Sequence, residues 1–389
     1  VSSVRVNKMK PFIRNLMRMS VYQMMYMEQV PVSAVCNEAV KLAKKRHFNN
    51  LSGFVNGVLR NISRQLADMK LPDDYSVRYS MPQEVVDILK ESFDDVTTAK
   101  ILDSFLKERS ISAVVNTVKT DKNSLVKRLT EQGITVKDAP YVENAILISG
   151  FNYLDDIPEF NEGMFQIQDI SSMTAGLIAA PCKDSRIIDV CAAPGGKSIF
   201  AAISMCGTGC VISRDVSDRK TEQIRENADR LGLENIIVQT VDAAEHIVQD
   251  EESADIVLAD LPCSGIGIIG RKPDIKYNVS KEKVSGIVAL QRKILDSVCS
   301  YVKQGGYIVY STCTLNYNEN EANVRYIADK GFVQEDITDL LPEALFEDAK
   351  KAGKDIYDKL VNDAKGGMLT LIPGVYECDG FFVAKLKRK

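Results

Sequence analysis

The chain has 389 residues, 45% of them hydrophobic and 26% charged, with a formal net charge of −4. That size and apolar content suit two or three packed domains. No apolar run approaches the roughly 18 residues of a membrane helix, and the early Arg5, Lys8, Lys10, Arg14 and Arg18 lead into no signal-type core, so a cytoplasmic protein with no membrane partner is expected. Nine cysteines without a CxxC pair, and histidines only at 47 and 246, exclude a disulfide framework and leave no metal expected. The net charge hides an asymmetry. Residues 1–70 hold twelve Lys or Arg against Glu28, Glu38 and Asp68, a net +9, which leaves −13 for the remainder. A basic end suits a polyanionic partner, and a solvated helical face is the other reading.

Residues 11–27 place Phe12, Leu16, Met19, Met24 and Met27 at helical spacing, and this Met stripe is read as core. A second helix has Val32, Val35, Cys36, Ala39 and Val40 on one face, and a third has Leu51, Phe54, Val55, Val58 and Ile62. Lys44, Lys45, Arg46 and His47 cluster at a helix end between them. The order PVSAVCNEAVKLAK then LSGFVNGVLRNISRQ resembles the second half of the NusB-like helical domain that precedes bacterial rRNA methyltransferases of the RsmB type. The resemblance implies an RNA-binding domain over residues 1–70, with further family helices upstream of Val1.

Leu71-Pro72-Asp73-Asp74 breaks the helical pattern and marks a boundary. Residues 82–107 read as helices; 112–118 and 145–149 read as strands around a helix at 124–132, giving an α+β connector over 71–164. The string from Phe165 to Ser172 then opens a domain over 165–389 and leads into a helix at 173–180. Strands at 186–190, 210–214, 236–241, 255–259 and 307–311 alternate with helices such as 221–231 and 284–302. Repeated βα units of this kind imply a Rossmann-like, doubly wound α/β domain with a largely parallel sheet and its ligand beyond the carboxyl ends of the strands.

Asp189-Val190-Cys191-Ala192-Ala193-Pro194-Gly195-Gly196-Lys197-Ser198 joins the first of these strands to a helix at 197–205 through small residues that leave room for a ligand. A phosphate loop would need Gly where Cys191 stands, and a dinucleotide fingerprint would need a third spaced glycine. The string instead resembles the S-adenosyl-L-methionine (AdoMet) motif of RNA cytosine-5 methyltransferases. That resemblance implies cofactor contacts from Cys191, Ala192, Ala193, Pro194, Gly195, Gly196 and Lys197. Asp215, Asp242 and Asp260 each follow a strand, and Asp215 stands where a carboxylate can accept two bonds from ribose hydroxyls. In the family the position of Asp242 lies by the adenine and that of Asp260 between cofactor and base.

Two further strings, Asp260-Leu261-Pro262-Cys263-Ser264 and Tyr310-Ser311-Thr312-Cys313-Thr314, each put a thiol just past a strand. With Arg271-Lys272-Pro273-Asp274, Asn318-Glu319-Asn320 and Asp379-Gly380-Phe381-Phe382, the chain resembles the RsmB (Sun, Fmu) family of 16S rRNA cytosine-5 methyltransferases. The resemblance implies action on ribosomal RNA with AdoMet; a monomer is expected, although the sequence does not fix the oligomeric state. Cys313 would be the attacking thiol, Cys263 the group that assists release, and Asp260 the acid beside the ring nitrogen. DNA cytosine-5 methyltransferases attack from a Pro-Cys string, so the reverse assignment of the thiols stays open. Lys197 and Lys272 are candidates for activating the thiol. A non-catalytic RNA-binding adaptor and a methyltransferase of another RNA, such as tRNA, are the rival readings.

Overall fold

The computed structural model describes residues 2, 4–68 and 72–389, in two compact units, Val1–Asp73 and Asp74–Lys389. The boundary expected at 71–74 falls where the units meet, although Leu71 itself lies outside the described residues.

In the first unit, helices α1 (Pro11–Tyr26), α2 (Val32–Lys45) and α3 (Ser52–Gln65) pack around Ile13, Leu16, Met17, Cys36, Ala39, Ala43, Val55 and Leu59. Of the expected Met stripe, Leu16 is in this core and Phe12 and Met24 pack against it, whereas Met19 and Met27 are corrected. Positions 13, 16, 17 and 20 form the buried face of α1, so Met19 falls off it and is 46% exposed, as Met27 also turns outward. Lys44, Lys45 and Arg46 are exposed at the end of α2, where basic groups complement the helix dipole.

The second unit opens with α4 (Tyr75–Arg78), α5 (Gln83–Ser92) and α6 (Asp95–Ser104), the last capped by Asp94, whose side chain accepts from the Thr97 N–H. A small antiparallel sheet follows, ordered β2-β3-β1-β4, from β1 (Ile111–Val115), α7 (Lys122–Glu131), β2 (Thr135–Asp138), β3 (Ala145–Ser149), α8 (Pro158–Asn161) and β4 (Phe165–Ile167). The strand read as 112–118 stops at Val115 because Asn116 turns the chain, its amide donating to the carbonyls of Gly163 and Leu231 at 2.9 Å each. Phe165–Ile167, read as the opening of the catalytic domain, is the fourth strand of this small sheet, paired with β1.

The chain continues through α9 (Ile170–Ala179), β5 (Arg186–Asp189), α10 (Gly196–Ser204), β6 (Cys210–Asp215), α11 (Asp218–Leu231), β7 (Ile236–Thr240), β8 (Ala254–Asp260), α12 (Lys281–Val298) and β9 (Val302–Thr312). It ends with α13 (Glu321–Ala328), β10 (Phe332–Gln334), α14 (Glu343–Ala352), α15 (Lys354–Lys365), β11 (Met368–Leu371) and β12 (Phe381–Arg388). The large sheet runs β10-β12-β9-β8-β5-β6-β7, with β11 also paired to β12. Strands β7, β6, β5, β8 and β9 are parallel, whereas β12 is antiparallel to β9, β10 and β11.

Alternation along each strand sends successive side chains to opposite faces. Ile187, Val211, Leu258 and Val309 join the core under α9 and α10, while Ile188, Ile212, Val257 and Ile308 join the core under α12 and α13. This is the doubly wound α/β arrangement. The strand order reverses between β5 and β8, and the crevice above that switch point receives the chemically active loops.

Candidate active site

Strand β5 delivers Asp189 to the sheet edge, and the chain turns through Val190–Gly195 before α10 begins. Gly195 sits at φ +107°, a left-handed conformation that side chains rarely adopt, and a Cβ there would press on Ile199 and Ile224 at 3.3 and 3.4 Å. The turn is tied to β6 by Ala192 N–H donating to the Arg214 carbonyl at 2.7 Å and by Ala193 N–H donating to Asp215 Oδ2 at 3.1 Å. Asp215 Oδ1 accepts from Val216 N–H at 2.8 Å and from Lys220 Nζ at 3.0 Å.

Two cavities flank the turn. One, of about 400 Å³, is bounded by Cys191, Ala193, Asp215, Asp242, Asp260, Cys263 and Cys313. The other, of about 380 Å³, has Gln168, Ser172, Asp189, Cys191, Ala192, Ala193, Pro194, Gly196, Lys197 and Asp260 in its wall, with Arg271 and Lys272. The expected residues therefore converge, except that Gly195 lines neither cavity and serves the turn alone. Asp242 is exposed and takes the Ala244 N–H, so it stands at the rim.

Asp260, at the end of β8, lies in both walls. Its Oδ2 accepts from Lys197 Nζ at 2.8 Å and its Oδ1 from Ser311 Oγ at 2.8 Å. Lys197 also donates to Ser172 Oγ at 3.0 Å and lies 5.0 Å above the Phe381 ring. The lysine considered for thiol activation is thus paired with the carboxylate.

The sulfurs of Cys263 and Cys313 are 3.2 Å apart. The hydrogen bond with Cys313, then burial, then the charges around it raise the Cys263 pKa well above an ordinary thiol's, which favours the protonated form of Cys263. The loops that carry them interlock through Gly267, whose N–H donates to the Cys313 carbonyl at 3.0 Å and whose carbonyl accepts from Gly380 N–H at 2.9 Å. A Cβ on Gly267 would lie 2.1 Å from the Gly380 oxygen, so only glycine lets the three strings approach. Arg271 links the Arg-Lys-Pro-Asp string to Asp379 and to Asp169, the cap of α9.

Two functional candidates escaped the sequence reading. Asp189 is 1% exposed; its Oδ2 accepts from Ser198 Oγ at 2.7 Å, its Oδ1 has no partner, and burial pushes its pKa up to about 7. Gln168 is 6% exposed, donates through Nε2 to Ser172, and leaves Oε1 without a partner. Two orphaned acceptors in one cavity wall call for a donor from a ligand, since such groups are costly to leave unmatched. The one available signal was a carboxylate closing an apolar strand.

The family model described as 16S rRNA methyltransferase RsmB/F matches residues 176–387, and the NusB family model matches residues 1–64. The chain is 34% identical to the probable ribosomal RNA small subunit methyltransferase B of Bacillus subtilis and 31% identical to that of Synechocystis, in each case over 98% of this chain and 84% of the relative. The chain belongs to the 16S rRNA methyltransferase RsmB/F family. Its fold is also that of a methyltransferase homolog protein from Pyrococcus horikoshii, with a TM-score of 0.66 and 25% identity over 81% of this chain and 98% of the other.

AdoMet is the cofactor of this RsmB/F-type methyltransferase, and the residues present fit it. Its ammonium group is the kind of donor that the acceptors of Asp189 and Gln168 require, and the cavity on the other side of the turn is lined by the carboxylates of Asp215 and Asp242. Among the described residues no cluster of His, Cys, Asp and Glu is arranged to hold a metal, and no helix is long and apolar enough to cross a membrane.

Proposed function

We propose that the protein methylates carbon 5 of a cytosine in small-subunit ribosomal RNA through a covalent bond from Cys313 to the base. The observation that carries this reading is the 3.2 Å pairing of two thiols in the cavity that Asp260 also lines.

Carbon 5 of cytosine is a poor nucleophile until a thiolate adds to carbon 6, which turns the ring into an enamine. AdoMet, when bound, supplies an electrophilic methyl group. Cys313 is the attacking sulfur, as in the RNA enzymes that the chain resembles, and the raised pKa of Cys263 fits the thiol that keeps its proton. Addition builds negative charge on ring nitrogen 3, and the Lys197–Asp260 pair holds a proton there: the lysine has a donor for the carboxylate, and the carboxylate faces both cavities. After methylation the carbon-5 proton leaves to solvent, the proton on nitrogen 3 returns to the Lys197–Asp260 pair as the bond to Cys313 breaks, and Cys263 gives its proton to the departing sulfur. The target base has to leave its stack to reach this crevice.

The exposed Lys44, Lys45 and Arg46 at the end of α2 supply charge for RNA phosphates, and a ribosomal substrate places the protein in the cytoplasm. Incubation with labelled AdoMet and naked small-subunit rRNA, followed by nucleoside analysis, tests the reading. Label in 5-methylcytidine is expected; label confined to another nucleoside overturns it.

A further inference from the structure

The two sulfurs are seated by the chain on either side of them. Asn320 brackets Cys313: its Oδ1 accepts from the Thr312 hydroxyl and its Nδ2 donates to the Thr314 carbonyl at 3.0 Å. Cys263 is bracketed by two different residues. Gln291 Nε2 donates to the Pro262 carbonyl at 2.9 Å, and the Glu319 carboxylate accepts from Ser264 N–H on Oε1 and from Ser264 Oγ on Oε2, both at 2.7 Å.

The Glu319 carboxylate also reaches the other loop. Thr314 Oγ1 is 2.7 Å from Ser264 Oγ and donates to Glu319 Oε2 at 3.5 Å. The residues that follow each of the two cysteines therefore meet on one carboxylate. Glu319 is fully buried, and its own carbonyl is held by the Tyr310 hydroxyl and, at 3.3 Å, by Asn323 Nδ2. No Lys or Arg forms an ion pair with it among the described residues, and burial holds its carboxyl above the usual range. One buried side chain thus gathers the residue that follows each thiol, which places it to set the distance between the two sulfurs.

We propose that Glu319 is a positioning residue for the release step: by gripping Ser264, and Thr314 through it, the carboxylate seats the Cys263 sulfur against the Cys313 sulfur. The release half of this inference rests on the role given to Cys263 above. Asn320 holds Cys313 separately, so loss of Glu319 unseats mainly Cys263. The protein should then still attack and methylate, yet fail to let go.

The test uses Glu319→Ala, Glu319→Gln and Ser264→Ala in the full chain, with two readouts and a melting curve for each. The first is the rate at which diamide links Cys263 to Cys313 in the free protein, a two-electron oxidation in which both thiols lose their protons to the reduced diamide. The second is the amount of RNA adduct that survives denaturing electrophoresis, with Cys263→Ala alongside. Glu319→Ala is expected to cross-link about tenfold more slowly and to accumulate adduct as Cys263→Ala does, given the usual worth of bonds to a charged acceptor. Glu319→Gln is expected to stay near wild type, because its amide can accept from the Ser264 N–H and donate to the hydroxyl. Ser264→Ala, which keeps the N–H arm, should fall between and serves if Glu319→Ala does not fold. Wild-type cross-linking in Glu319→Ala, or in Ser264→Ala if that variant has to stand in, overturns the positioning. A lower melting temperature with fewer active molecules and no trapped adduct, while Cys263→Ala does trap it, assigns Glu319 to stability alone. Slow cross-linking with no adduct in either Glu319→Ala or Cys263→Ala upholds the positioning and rejects the release role of Cys263.

Discussion

Cys263 and Cys313 come from loops fifty residues apart, yet their sulfurs touch at 3.2 Å, with Cys263 as the partner that retains its proton. Replacing the two should therefore have unlike effects. Cys313→Ala is expected to lower turnover by at least about 10³-fold and to form no covalent RNA complex, since the attacking atom is gone. Cys263→Ala is expected to add and methylate, then release slowly, leaving an adduct on a denaturing gel. The reverse pattern would put the nucleophile in the Pro-Cys string.

Lys197 and Asp260 form one unit at 2.8 Å, and a unit loses its function once. Lys197→Ala and Asp260→Asn should each reduce kcat by about 10²- to 10⁴-fold, the usual range for a lost acid or base. The double variant should be little worse than either single one. Losses that multiply in steady-state kinetics would mean that the two groups act independently.

Asp189 gives a pH signature. Its carboxyl has a folded pKa of about 7, raised by burial, against roughly 3.9 in an unfolded chain. Between those values the folded state binds more protons, so this group lowers stability as pH rises from about 4 to 7, with no further change above. Asp189→Asn removes that slope and should raise stability at pH 8 relative to pH 4, on the order of a few kcal/mol. AdoMet, whose ammonium favours the ionised carboxylate, should bind wild type more tightly as pH rises through 7 and bind the variant without that dependence. Melting curves and calorimetry at several pH values check both; parallel profiles in the two proteins would remove Asp189 from the cofactor site.

The basic end of α2 is checked by salt. Changing Lys44, Lys45 and Arg46 to Gln should weaken RNA binding and flatten the slope of log affinity against log salt by about 2 to 3, as three fewer phosphates are neutralised. An unchanged slope would leave these residues as a solvated face.

Much of this architecture is local in origin and could be read from the chain. An apolar strand, a small-residue turn and a helix, as at 186–204, announce themselves within twenty residues, and the strand-end aspartates and cysteines follow from the same pattern. What escaped depends on approach in space. Residues 381–388 are assigned no element from sequence, yet they pair as β12, and there Lys385 is buried with its Nζ donating to the Ala179 carbonyl. Gln168 and Asp189 acquire meaning only when the cavity wall brings their unpaired oxygens together, and Glu319 only when two loops close over it. The Met stripe holds at Phe12, Leu16 and Met24 and misses at Met19 and Met27, since residues 12–27 contain enough apolar side chains to support more than one helical phase.

The position of β12 in the large sheet bears on how the protein is made. This strand follows all the others in chain order, yet it lies inside the sheet between β9 and β10 and brings Phe381 beneath Lys197. A growing polypeptide can pair β5 to β9 as they leave the ribosome, but it displays the bare flank of β9 until residues 381–388 emerge. Such an unpaired edge invites wrong partners. During synthesis the parallel strands need shielding, and Phe381 comes under Lys197 only when this strand docks.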